Sequence, residues 1–130
     1  MISLTTMPGR YAICRLPAGA RPPVPPAASS FVSITRTQDE VSIVCDEQSA
    51  PAGARMDTGW NLLKVNGPLD FSAVGIVASL TAPIAAAGIS LFVVSTFDTD
   101  YLLVKSEHLK AASDALRRAG HAIDAGGAIS

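Results

Sequence analysis

The C-terminal half of the sequence alternates apolar runs with short polar breaks. Residues 60–65 (WNLLKV) end at Asn-Gly-Pro, which predicts a strand that stops there. Apolar residues then recur every three or four positions from Val74 to Ile84, which predicts a helix with Pro68 and Asp70 in its first turn and its end at Gly88. Residues 89–95 and 101–105 are rich in β-branched and aromatic side chains, which predicts a hairpin.

A second helix and a short strand complete this half. We expect Ser106 to cap the helix and Gly120 to end it, with its apolar face formed by Leu109, Ala112, Leu116 and Ala119. Residues 121–123 predict the last strand. The order strand, helix, strand, strand, helix, strand is that of a ferredoxin-like unit, an α+β fold in which helices cover one face of an antiparallel sheet.

The N-terminal half has strand patterns and little helical signal. Residues 11–16, 31–35 and 41–45 predict strands, and the last two form a hairpin whose turn is 36–40. Residues 17–26 (PAGARPPVPP) contain five prolines, which excludes a regular helix, and residues 48–59 show no helical stripe. We therefore expect two domains: a helix-poor unit over residues 1–59 and a ferredoxin-like domain over residues 60–130.

The two predicted hairpins resemble each other. Without gaps, FVSITRTQDEVSIV aligns with FVVSTFDTDYLLVK at an offset of 61 residues, which pairs Thr35 with Thr96 and Asp39 with Asp100. This alignment suggests an internal duplication. Phe97 and Asp98 then have no counterpart of their own type, so within the loop STFDTD they are the preferred functional candidates.

Composition and charge exclude several classes of function. Hydrophobic residues make up 48 % of the 130 residues, enough for a core, and the formal net charge is -1. We therefore expect neither a nucleic acid nor a membrane surface as a partner. Residues 71–97 contain no charged side chain, but glycine, proline and hydroxyl residues interrupt them, so a buried helix followed by a buried strand is expected rather than a transmembrane span.

The candidate reactive side chains form no catalytic pattern. Cys14 and Cys45 lie in apolar strand contexts, which favours buried free thiols, with a cross-strand disulfide as the alternative. The N-terminus has no secretory signal, so the cytoplasm is expected. His108 and His121 have no second ligand at metal spacing, and no phosphate-binding loop is present. We therefore expect no catalytic residue, no metal site, no cofactor and no enzymatic activity; a small enzyme is the minor alternative.

Several of these segments resemble a known family. VNGPLDFSAVGIVASLTAPIAAAGISLFVVSTFDTDYLLV resembles an ACT domain, particularly in the small paired-ACT proteins related to the regulatory region of aspartate kinases and to the cytosolic arginine sensors of animals. GRYAICRL and SITRTQDEVSIVC resemble the degenerate first ACT-like unit of those proteins. The resemblance implies a regulatory module, expected to be a homodimer, that binds an amino acid or similar small ligand between ACT units.

The resemblance also implies where the ligand binds. In ACT domains the turn after the first strand and the start of the first helix commonly meet the ligand, which here are Asn66, Gly67, Asp70, Val74, Gly75 and Ile76. A helix N-terminus suits a carboxylate and Asp70 suits an ammonium group, although Asp70 could instead only cap the helix. From the hairpin loop we add Thr96, Phe97 and Asp98. The alternative function is a protein-interaction or dimerisation module that takes no small ligand.

Overall fold

The computed structural model describes residues 2–22, 29–67 and 75–124. This part of the chain contains eight strands and two α-helices, in the order β1 (Ser3–Thr6), β2 (Tyr11–Pro17), β3 (Val32–Arg36), β4 (Glu40–Asp46), β5 (Arg55–Val65), α1 (Ile76–Ala86), β6 (Phe92–Ser95), β7 (Asp100–Lys105), α2 (Leu109–Arg118) and β8 (Ala122–Asp124). Short 3-10 turns, Glu47–Ser49 and Ser106–His108, stand before β5 and α2.

The chain divides into two compact units. The split unit consists of Met1–Pro8 and Asn61–Ser130, and the inserted unit is Gly9–Trp60, which lies between those two segments in the sequence. The first eight residues therefore belong with the C-terminal segment. Strand β5 begins in the inserted unit and ends in the split unit.

The split unit has the predicted ferredoxin-like arrangement. From β5 to β8 its elements follow the order strand, helix, strand, strand, helix, strand, which confirms the α+β prediction. Strand β7 pairs with both β5 and β6. The N-terminal strand β1 adds to this pattern: it lies between β5, to which it is antiparallel, and β8, to which it is parallel. The apolar pattern gives no sign of β1, because Leu4 is its single fully buried residue.

One hydrophobic cluster holds the helices of the split unit against its sheet. Its fully buried members come from three strands and both helices: Leu4, Leu63, Val65, Leu80, Ile84, Leu102, Val104, Ala112 and Leu116. The helical members stand four residues apart in α1 and again in α2, which is the predicted spacing of one helix face. Neither helix of the described chain has the length and apolar character needed to cross a membrane.

Several element boundaries differ from the predicted ones. Strand β5 begins at Arg55, five residues before the apolar run, because pairing with β2 extends it through an exposed segment. Helix α2 begins at Leu109, after the 3-10 turn that starts at Ser106, so Ser106 does not stand directly before the α-helix as expected. The predicted first turn of α1, with Pro68 and Asp70, lies outside the described residues.

The inserted unit is an antiparallel sheet in the order β3-β4-β2-β5. The helix-poor prediction is confirmed within its described residues, where the one helical segment is the 3-10 turn Glu47–Ser49. A separate hydrophobic cluster forms its core: Ala12, Cys14, Val41, Ile43 and Cys45.

The two cysteines lie in this core as buried free thiols, as their strand context predicts. Cys14 pairs with Ile43 and Ala12 pairs with Cys45, so the two thiols lie on the same face of the β2–β4 pair, two positions apart. Burial raises the pKa of both thiols, and for Cys45 burial together with the neighbouring Cys14 raises the pKa from 9.0 to about 12. The folded unit therefore favours the neutral thiols.

We expect the free energy of unfolding to fall as the pH rises from about 9 towards 12, the window between the ordinary and the folded pKa of Cys45. In this window the unfolded chain releases the Cys45 proton and the folded chain keeps it, which lowers the free energy by up to about 1.4 kcal/mol per pH unit. Urea unfolding of the wild type and of Cys45→Ala across this range measures the effect. The variant should show the shallower slope, and parallel slopes would contradict the assignment.

Candidate functional site

The loop STFDTD forms the tight turn of the β6–β7 hairpin. The Thr96 N–H donates to the Thr99 carbonyl at 2.8 Å, and the Thr99 N–H donates to Thr96 Oγ1 at 3.3 Å. Across the base of the turn, the Ser95 hydroxyl donates to Asp100 Oδ1 at 2.6 Å. These residues therefore close the turn, and Phe97 and Asp98 occupy its tip.

The β3–β4 hairpin closes with the same chemistry. The Thr37 N–H donates to the Glu40 carbonyl at 2.9 Å, and the Glu40 N–H donates to Thr37 Oγ1 at 3.1 Å. Thr37 thus corresponds to Thr96, and Asp39 to Asp98, at an offset of 59 residues (96 minus 37). The ungapped alignment at an offset of 61 is wrong, because it matched Phe31, which precedes β3, with Phe92, the first residue of β6.

Thr99 anchors the hairpin turn to the end of β5. Its hydroxyl donates to the Val65 carbonyl at 2.7 Å, and the residue is 5 % exposed. The anchor brings the tip of the hairpin next to the residues that follow β5. There Lys64, Gly67, Asp98 and Thr99 line a cavity of about 280 Å³. The part of the cavity wall formed by described residues thus has one cationic and one anionic side chain.

Of the predicted site residues, Gly67 and Asp98 meet at this cavity. Asn66 is used elsewhere: its Nδ2 donates to Ser3 Oγ and its Oδ1 accepts from Thr5 Oγ1, both at 2.9 Å, which ties the end of β5 to β1. Asn66 is therefore not one of the described residues that line the cavity.

The other predicted site residues are not among the described residues that line the cavity. Gly75 stands directly before α1 in the left-handed conformation, with φ at 80°, which glycine adopts without strain. Ile76 packs against the core of the split unit, and Phe97 is 79 % exposed at the tip of the turn. Asp70 and Val74 lie outside the described residues.

The cavity is also lined by Lys64 and Thr99, which were not among the predicted ligand-binding residues. Lys64 is the single charged residue in the run WNLLKV, and a half-buried lysine in an apolar strand could have served as a signal. Thr99 gave no such signal, because its role depends on a carbonyl 34 residues away in the sequence. Among the described residues, His, Cys, Asp and Glu side chains form no group that could hold a metal ion.

Two family models match the chain, and their limits follow its structural units. An ACT domain model matches residues 55–118, from the start of β5 to the end of α2. A model of an N-terminal domain matches residues 9–53, within the inserted unit.

Known proteins share both the sequence and the fold. The Homo sapiens protein "Cytosolic arginine sensor for mTORC1 subunit 1" is 30 % identical over 101 residues, which cover 72 % of this chain and 31 % of that protein. The chain thus spans about a third of the length of this relative. Protein Atu0741 from Agrobacterium tumefaciens has a crystal structure that is 46 % identical, with a TM-score of 0.86, over 94 % of this chain and 91 % of that one.

A more distant structure shares the fold alone. The regulatory subunit of aspartate kinase from Thermus thermophilus is 11 % identical, with a TM-score of 0.60, over 86 % of this chain and 93 % of that one. The order of elements in the split unit, the matching domain model and these relatives agree with one another. The chain belongs to the ACT domain family.

Proposed function

We propose that the protein is a regulatory module that binds a free amino acid in the cavity lined by Lys64, Gly67, Asp98 and Thr99, and that it has no catalytic activity of its own. The observation that carries the proposal is the pair of opposite charges on the cavity wall. A free amino acid has a carboxylate and an ammonium group on the same carbon. Lys64 would hold the carboxylate and Asp98 the ammonium group.

Both charged side chains are available for such a ligand. Within the described residues, neither Lys64 nor Asp98 is part of an ion pair. The volume of about 280 Å³ is just below the range of about 300–1,000 Å³ typical of small-molecule sites, which suits a ligand of few atoms. Gly67 adds backbone groups, and Thr99 adds a hydroxyl whose proton is already donated to Val65 but whose oxygen can still accept.

The relatives support the same class of ligand and role. The Homo sapiens relative is an arginine sensor by its name, and the Thermus thermophilus protein is a regulatory subunit. We include Asp70, Val74 and Gly75 in the proposed site, as the segment that leads into α1, together with Thr96 and Phe97 at the hairpin. The buried free thiols of Cys14 and Cys45 support a reducing compartment, for which we propose the cytoplasm.

We expect one amino acid, or a few of similar shape, to raise the melting temperature of the protein. A ligand at a hundred times its Kd stabilises the folded state by about 2.7 kcal/mol. Differential scanning fluorimetry with each standard amino acid at millimolar concentration measures the shift. If the folded protein shows no shift with any of them, the proposed function is wrong.

The charge assignment has its own test by calorimetric titration of the amino acid found in that screen. Lys64→Gln and Asp98→Asn should each weaken binding by about tenfold or more, because each removes a charge-assisted contact. Asp39→Asn, at the equivalent position of the other hairpin, is the matched control and should bind as the wild type does.

Ligand analogues separate the two charges. The amide of the amino acid lacks the carboxylate, so its affinity should not change with Lys64→Gln, whereas the N-acetyl derivative should be insensitive to Asp98→Asn. Wild-type affinity in both cavity variants, or an equal loss in Asp39→Asn, would contradict the assignment.

We further propose that the protein forms a homodimer through the open edge of β6. Among the described strands, β6 pairs with β7 alone. Residues 91–97 contain neither a charge nor a proline, the usual features that protect an edge strand, and Val93 is 36 % exposed. Residues of an antiparallel pair bond to their partner strand at every second position, and Thr96 bonds to Thr99. The N–H and C=O groups of Val93 and Ser95 therefore point away from β7. An antiparallel copy of β6 would satisfy them around a two-fold axis.

We expect Val93→Lys to convert the dimer into a monomer, because the substitution brings two like charges together at the two-fold axis. Light scattering coupled to size-exclusion chromatography measures the mass, and circular dichroism checks that the fold is unchanged. Ile34→Lys, which charges an exposed apolar position on β3, is the control and should remain dimeric. A monomeric wild type, or a dimeric Val93→Lys protein, would exclude this interface.

A further inference from the structure

Helix α1 contains a break in its hydrogen bonding that a distant side chain fills. Pro83 lies inside α1 and has no N–H, so the Ser79 carbonyl, four residues earlier, lacks its usual helical donor. The imidazole Nε2 of His121 lies 3.2 Å from this carbonyl oxygen. His121 stands directly before β8, 42 residues from Ser79 in the sequence.

The second ring nitrogen of His121 determines which tautomer is present. The Ile2 N–H donates to Nδ1 at 3.2 Å, and only an unprotonated ring nitrogen can accept such a bond. In the neutral ring the proton is then on Nε2, which donates to the Ser79 carbonyl. One imidazole thus joins the start of β1 to the middle of α1.

Ser79, the residue whose carbonyl His121 contacts, also closes the first turn of α1. The Ser79 N–H donates to the Gly75 carbonyl at 2.9 Å, and the Ser79 hydroxyl donates to the Ile76 carbonyl at 2.8 Å. Gly75 is the described residue at which the proposed ligand is expected to meet the helix. The ring is therefore two hydrogen bonds away from Gly75.

We propose that His121 is a positioning residue for the ligand site. In its neutral form with the proton on Nε2, the imidazole replaces the hydrogen bond that Pro83 removes, and it holds the first turn of α1 in the geometry that the ligand requires. This inference rests on the proposed function for its ligand and for the expected contact at Gly75, and on the four hydrogen bonds above for its mechanism.

A double-mutant cycle with Pro83 tests the replacement of the hydrogen bond. His121→Ala should raise the unfolding equilibrium constant about tenfold, because two hydrogen bonds are lost. In the Pro83→Ala background the new N–H at position 83 can donate to the Ser79 carbonyl. There the increase in the unfolding equilibrium constant caused by His121→Ala should be smaller by about threefold or more. Equal costs in the two backgrounds would overturn the proposal.

A conservative variant and a spectroscopic signature complete the test. The amide of His121→Gln offers an oxygen acceptor and a nitrogen donor, and it should recover most of the stability and ligand affinity that His121→Ala loses. The nitrogen chemical shifts of the wild-type ring should report the Nε2–H tautomer, whereas an Nδ1–H tautomer would overturn the mechanism.

Ligand affinity separates this inference from the proposed function. With the amino acid found by the thermal screen, His121→Ala should bind about tenfold more weakly than the wild type. A loss of stability at unchanged affinity would reduce His121 to a structural role and overturn the positioning claim alone. A wild-type protein that binds no amino acid would instead overturn the proposed function.

Discussion

The hydrogen bond from the Thr99 hydroxyl to the Val65 carbonyl is the constraint on which the candidate site depends. It is 2.7 Å long, and Thr99 is 5 % exposed, so loss of the hydroxyl would leave a buried carbonyl without this donor, at a cost of about 1 to 3 kcal/mol. The bond joins a hairpin turn to the end of a strand 34 residues earlier. Asp98 and Gly67 come together because of it, and the cavity that they share with Lys64 follows from that geometry.

Most polar side chains of the hairpin turn and of the end of β5 have structural roles, which sets the two charged side chains of the cavity apart. Thr96 closes the turn, Ser95 and Asp100 bond to each other across the hairpin, and Asn66 ties β5 to β1. The loop STFDTD is therefore mainly a turn, and Asp98 is its charged side chain at the cavity. Helix α1 also divides its roles: its buried face packs in the core, and the Ser79 carbonyl, which has no helical donor because of Pro83, is bonded by His121.

The order of elements in the split unit could be predicted because the apolar residues of its helices and of its strands recur at different spacings. Leu80 and Ile84 repeat at helical spacing, whereas the runs that became β6 and β7 are continuous and apolar. Strand β1 and the first half of β5 escaped prediction because they are held mainly by backbone pairing, which leaves little apolar signal. The alignment of the hairpins failed for a related reason: strand residues matched by composition, but the Thr-x-Asp turns determine the true correspondence.

The site was predictable only in part. Gly67 and Asp98, which line the cavity, were named from the resemblance and from the loop. For Lys64 the sequence offered only an isolated lysine in an apolar run, and the cavity beside it forms because Thr99 brings the hairpin there. The most direct measurement is a titration of the isotope-labelled protein with the amino acid found by the thermal screen, followed by amide chemical shifts. The account predicts the largest changes at Gly67, Asp98 and Thr99, with Asp39 unaffected. Changes confined to the inserted unit would contradict it.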